Sequence, residues 1–154
     1  EPARSPSATH LATARLLAWR RQSVPVDPGD LDELQRAAAT WRERGELGHA
    51  LLADVIAAGW AARAGHADAA AAHAARALEA LRRLGVPGIY RPGLHLALAR
   101  ATGHAPELHE RALRGGAEWV HNVARYQVPD AYRSSFLNDN RVNRELLALA
   151  AGEG

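Results

Sequence analysis

Glycines at Gly45, Gly65, Gly85 and Gly103 punctuate the middle of this 154-residue chain at intervals of 20, 20 and 18 residues. Between them alanine and leucine recur at helical spacing, with charges on the opposite face. A glycine just past a helix end is the usual left-handed stop. One glycine every twenty residues therefore predicts rods of about four or five turns joined by tight turns. β-Branched residues are few and never alternate with polar ones, so no strand is expected. The spacing predicts helices over 7–22, 29–44, 47–64, 67–84, 90–102, 106–126, 130–138 and 141–151. Prolines 25, 28, 87, 92, 106 and 129 fall between these or at their starts, where proline is tolerated. Asp30 and Asp68 lie in first turns, where an acid suits the helix dipole. Gly115–Gly116 interrupts the sixth helix and predicts a kink or break there.

Two self-similarities set a longer rhythm. "WRERG" at 41–45 resembles "LRRLG" at 81–85, and "GHA" at 65–67 recurs at 103–105. A period near 40 that holds two helices is the mark of a helical-hairpin solenoid. The expected fold is all-α, a right-handed superhelix of antiparallel hairpins with a C-terminal capping helix pair. Residues 1–28 supply the first helix and linker, 29–126 the hairpins and 127–154 the cap and tail, as one domain overall.

"AGHADAAAAHAARALEAL" (64–81) resembles the second half of a tetratricopeptide repeat, with Gly65 at the turn, Ala70 and Ala77 at the small positions, and Leu78–Glu79 at the end. Small side chains there let paired helices approach closely, and Leu78, Leu81 and Leu84 would fill the gap beneath the next hairpin. The first-helix half departs from the pattern, since Ala57, Ala58 and Ala61 stand at its large, small and aromatic positions. The run from Trp41 to Gly85 is similar to the forty-residue repeats of bacterial regulators of the maltose-regulon-activator and LuxR type. "VPDAYRSSFLNDNRVNRELLALA" is similar to the C-terminal end of large multidomain bacterial regulators. The resemblance covers most of 29–151. It implies a non-catalytic interaction or regulatory region, acting on a protein or peptide partner or on upstream domains of its own chain. A small-molecule sensor that controls an attached ATPase is the alternative it implies.

Composition narrows the chemistry. All 19 basic residues are arginine, which reads as GC-rich coding, and 17 acids leave a net charge of only +2. That surplus is too small to require a polyanionic partner. Cysteine is absent, which excludes disulfides and thiolate chemistry and fits a cytoplasmic location. No apolar run reaches the ~18 residues of a membrane span. No signal peptide opens the chain and it holds no methionine, so a piece of a longer protein is expected.

Glu46-x-x-His49 and Glu118-x-x-His121 have the spacing of carboxylate-bridged di-metal bundles, with Glu79 and Glu110 as nominal partners. Solvated histidines explain them better, and a metal-dependent helical-bundle enzyme is a remote third reading. "GHAPELHE" (103–110) reads as a turn followed by a charged first turn. Ser134 and Ser135 have no evident base, and no HExxH, phosphate loop or nucleophile elbow occurs. Neither a metal nor a cofactor is expected. Arg20–Arg21 and Arg82–Arg83 sit near helix C-termini, which favour cations, so direct nucleic-acid binding is not expected.

In a tetratricopeptide-like groove the partner-binding candidates are Arg21, Arg63 and Arg100, which would offer guanidinium forks to a carboxylate or phosphate. Trp19, Trp41, Trp60 and Trp119 read as core between hairpins. In the tail, Tyr132, Phe136 and Leu137 would pack back, Asn138–Asn140 would turn, and Leu146, Leu147 and Leu149 would close the array. A second reading has Arg141, Asn143 and Arg144 reaching other domains.

Overall fold

The computed structural model describes residues 15–22, 24–25, 27–84 and 89–152, and every regular element among them is an α-helix. The chain divides into two units at the Leu84–Gly85 boundary, inside the stretch expected to form one array.

The first unit holds α1 (15–20), α2 (Asp30–Glu43), α3 (Leu47–Arg63) and α4 (Ala67–Arg83). Two matching turns join the last three. At the first, Gly45 takes φ 74°, its N–H bonds the Arg42 carbonyl at 3.0 Å, and the Glu46 N–H bonds that of Trp41 at 2.8 Å. Twenty residues on, Gly65 takes φ 78°, with Gly65 N–H to Ala62 and His66 N–H to Ala61 at 3.1 and 2.8 Å. Both are Schellman motifs, in which a left-handed residue satisfies the carbonyls that a helix end leaves orphaned. Such short connections fold consecutive helices antiparallel.

α3 is the middle rod. It is buried on all sides from Ala50 to Ala58 and again at Trp60 and Ala61, as a helix that is apolar all round must be. Four of its alanines, Ala53, Ala57, Ala58 and Ala61, have essentially no exposure, so α2 and α4 pack close to its backbone. Bulk comes from tryptophan. Trp60 meets Trp19 edge-on at 6.2 Å, and its indole N–H donates to the Gln22 carbonyl at 3.2 Å. Trp41 is buried and stacks on His49 at 5.5 Å.

The second unit holds α5 (Arg91–Ala101), α6 (Pro106–Tyr126), α7 (Asp130–Asn138) and α8 (Arg141–Ala150). α5, α6 and α8 pack mutually, and α7 lies on α6 and α8. Contrary to the expected kink, α6 runs unbroken through Gly115–Gly116. These glycines mark a crossing. A Cβ on Gly116 would lie 2.6 Å from Leu146 Cδ2 and 2.8 Å from His95 Cβ, and one on Gly115 would lie 3.0 Å from His95 Cε1. Their missing side chains admit α5 and α8 to the backbone of α6.

The tail behaves in part as its sequence predicts. Asn140 caps α8, accepting from the Asn143 N–H at 3.1 Å, and Leu146 is fully buried. Tyr132 does not pack back: it is 67% exposed, and α7 buries none of its residues. Asn143 turns inward and cannot reach another domain. Its Nδ2 donates to the Phe136 carbonyl at 2.8 Å, and its Oδ1 accepts from the Tyr90 hydroxyl at 2.6 Å. Tyr90 in turn meets Trp119 edge-on at 5.9 Å, leaving Trp119 half-buried where full burial was expected. Gly103 lies in a turn without positive φ, and Thr102, the C-cap of α5, bonds its hydroxyl to the Leu98 carbonyl at 2.7 Å. The expected stop at Gly85 and residues 7–14 of the expected first helix lie outside the described residues.

Candidate functional site

The buried stretch of α3, residues 50–61, carries a single charge. Asp54 is 2% exposed, and four side chains from both neighbouring helices answer it directly or at one remove. Arg42, in the last turn of α2, places Nη2 3.1 and 3.0 Å from the two carboxylate oxygens. From α4, His73 Nδ1 stands 2.8 Å from Oδ1 and Arg76 Nε stands 3.4 Å from it. Gln35 of α2 closes the chain, its amide nitrogen 3.0 Å from His73 Nε2.

This geometry selects one imidazole tautomer. A carboxylate can only accept, so Nδ1 carries the hydrogen; the Gln35 amide nitrogen can only donate, so Nε2 offers its lone pair. Arg76 Nη2 lies 2.8 Å from the same Nδ1 but finds no lone pair there, and the carboxylate holds this arginine through Nε. Burial pushes the Asp54 carboxyl up, but the hydrogen bonds from His73 and Arg42 and the charges of Arg42 and Arg76 together hold it below its ordinary value. The cluster therefore contains an ionised carboxylate hydrogen-bonded by an imidazole and a guanidinium.

Beside this cluster lies a cleft of about 480 Å³. Its floor is apolar: Leu47, Ala50 and Leu51 from α3, and Ala75, Ala80 and Leu84 from α4 and its end. Its rim is cationic, with Arg42, Arg76 and Arg83 against Glu79 and the buried Asp54. Glu79 is already engaged by Arg83 at 2.7 Å and Arg82 at 3.2 Å. The cleft is open, since Leu47 is 45% exposed and the Arg83 side chain 71%.

The three arginines singled out from the sequence lie elsewhere. Arg21 is exposed in the turn after α1, and Arg63 is the last residue of α3. The Trp60–Gln22 bond ties the segments that carry them together. Arg100, in the second unit, forms an ion pair with Glu145 of α8, so a partner would have to displace that carboxylate. Of the proposed metal spacings, His49 pairs with Glu46 at 3.6 Å, while Glu118 and His121 line a cavity of about 400 Å³ between α6 and the end of α8. Among the described residues no group of three His, Asp or Glu side chains is placed to hold a metal ion.

Asp54, His73 and Gln35 are not evident as a site in the sequence, although two of them carry a signal. Asp54 is the lone charge in "ALLADVIAAGWAA", and His73 the lone polar residue in "AAAAHAA". A third such residue, His95 in "GLHLALA", is 4% exposed at the crossing with Gly115. Its Nδ1 donates to the Ala112 carbonyl at 3.1 Å, and its Nε2 makes no hydrogen bond. Burial, reinforced by the Arg91 charge, pushes its pKa down to about 4.

No protein-family model, curated protein or solved structure matches this chain. No helix among the described residues is long and apolar enough to cross a membrane.

Proposed function

We propose that this chain is a non-catalytic protein-interaction and regulatory region built from tetratricopeptide-like hairpins. In this reading the hairpins continue into a right-handed superhelix ended by the α7–α8 pair. Its setting is a larger cytoplasmic bacterial signalling or transcription regulator, and its partner is a peptide, a protein, or an upstream part of the same chain. Neither nucleic acid nor a membrane is its target. The observation that carries the proposal is the open cleft on α3 and α4, whose alanine and leucine floor is bordered by arginine. Exposed apolar surface rimmed by polar groups is characteristic of docking faces, and arginine is enriched in the residues that anchor partners. The repeated turns at Gly45 and Gly65 support the hairpin reading. Arg21 and Arg63 remain candidates for further partner contacts, with Arg100 once released from Glu145.

Photo-crosslinking in the source cells tests this. A benzophenone side chain at Ala80, on the cleft floor, should give covalent adducts with a polypeptide. The adducts should vanish when Leu47→Asp places a charge on that floor. Equal labelling from Ala39, exposed on α2, or none from Ala80, would contradict the proposal.

The cleft volume also lies within the ~300–1,000 Å³ of small-molecule sites, which favours the sensor as the second reading. A small molecule retained in native mass spectra, with no polypeptide adduct, would establish it.

A further inference from the structure

The chemistry of the cleft specifies its occupant more closely, on the footing of the docking role just proposed. We propose that it receives an amphipathic helix bearing two acidic side chains about two turns apart, with apolar side chains between them. One acid bridges Arg42 and Arg76 and the other meets Arg83.

Shape supplies the first argument. The cleft is walled by single stripes of two antiparallel rods, residues 47, 50, 51 and 54 of α3 and residues 76, 80 and 83 of α4. At 1.5 Å per residue these stripes run roughly 10 Å, the length of two helical turns. The groove between two antiparallel helices is where a third helix seats, at an axial distance of roughly 8–10 Å that small contact residues permit. Ala50, Ala75 and Ala80 are those residues, and Leu47, Leu51 and Leu84 offer the apolar contact.

Charge supplies the second. Arg42 and Arg76 converge on one oxygen of Asp54, at 3.1 and 3.4 Å, from different helices. The buried carboxylate uses only part of each fork of five donors, and the two side chains remain 37% and 45% exposed. Two guanidiniums held in place from below form a preset seat for a second carboxylate from above. The entropy of ordering them is spent within the fold, so binding need not supply it. Arg83 follows Arg76 by seven residues, two turns along the same stripe of α4 and about 10 Å away. A helix laid alongside matches that interval with acids seven residues apart. The lining sets three arginines against the two carboxylates of Asp54 and Glu79, so a net positive charge faces any basic helix, and the acid that meets Arg83 shares it with Glu79.

Selection of a displayed library of helical peptides on the full chain tests the inference. Peptides competed away by Leu47→Asp should be enriched in Asp or Glu at i and i+7 around leucine. Arg83→Glu, outside the Asp54 cluster, should weaken a selected acidic peptide on the order of tenfold. It should also restore binding of the same peptide with the facing acid changed to lysine. Arg76→Glu should act likewise at the other acid. Cleft-dependent peptides without acidic enrichment, or indifferent to Arg83→Glu, would overturn the inference and leave the docking role standing. Recovery of no cleft-dependent peptide would overturn both.

Discussion

His73 Nδ1 lies 2.8 Å from the carboxylate of Asp54, and both side chains are almost wholly withdrawn from water. This contact joins α3 to α4, and Arg42 and Gln35 extend it to α2, so one buried charge registers three helices. A buried ion pair contributes little net stability compared with apolar residues, but removing one partner is costly. Asp54 is thus better understood as fixing how the helices sit, and hence where the arginines of the cleft point.

Asp54→Asn should cost about 1–3 kcal/mol, since one accepting oxygen becomes an NH2 group that faces a donor, and Arg42 and Arg76 lose their buried counter-charge. Acid sensitivity should change with it. The folded carboxyl titrates below its ordinary value, so its contribution is complete above the unfolded pKa and is lost as pH falls through the folded one. Denaturant melts should therefore show wild type losing stability below about pH 4, with Asp54→Asn the flatter curve. An equally steep variant would remove Asp54 from this account.

Glycine-to-alanine changes should split by position. Helix propensity alone favours alanine over glycine by about 1 kcal/mol. At Gly59, where nothing stands within 4 Å, that gain should appear as higher stability. At Gly116 the new methyl meets Leu146 and the Cβ of His95, which is tied to its backbone and cannot swing away. Overpacking of about 1–3 kcal/mol should outweigh propensity there. Thermal melts of the two variants that moved in the same direction would refute the crossing described for α5, α6 and α8.

His95 should make the second unit acid-labile. Its folded pKa of about 4 lies below the ordinary 6.5, so the unfolded chain binds the proton more readily. Stability should be full above pH 6.5 and fall on acidification towards pH 4, by roughly 3 kcal/mol at most. Hydrogen exchange in peptides from 91–126 should accelerate over that window, and His95→Leu should abolish the change. Exchange independent of pH, after correction for intrinsic rates, would contradict the buried neutral imidazole.

Much of the fold was legible because local rules carry it. The glycine stops at Gly45 and Gly65 and the Asn140 cap follow from backbone geometry, and each appears where the sequence places it. The glycines at 115 and 116 were misread because helix propensity cannot distinguish a break from a close approach. Only the opposing Leu146 and His95 make that distinction. The Asp54 cluster escaped for a related reason. Its members lie 12, 19 and 22 residues from the aspartate along the chain, and only the antiparallel packing gathers them. The arginines nominated by turn alignment are not among those that line the cleft, whose Arg42, Arg76 and Arg83 come from α2 and α4.

Methyl NMR of the full chain, titrated with an acidic helix selected as above, tests the docking account most directly. The account predicts shifts gathered on Leu47, Leu51, Ala75, Ala80 and Leu84, and absent when Arg83 is replaced by glutamate. Saturable binding whose shifts fall only on residues 91–150, leaving these five methyls unmoved, would contradict it.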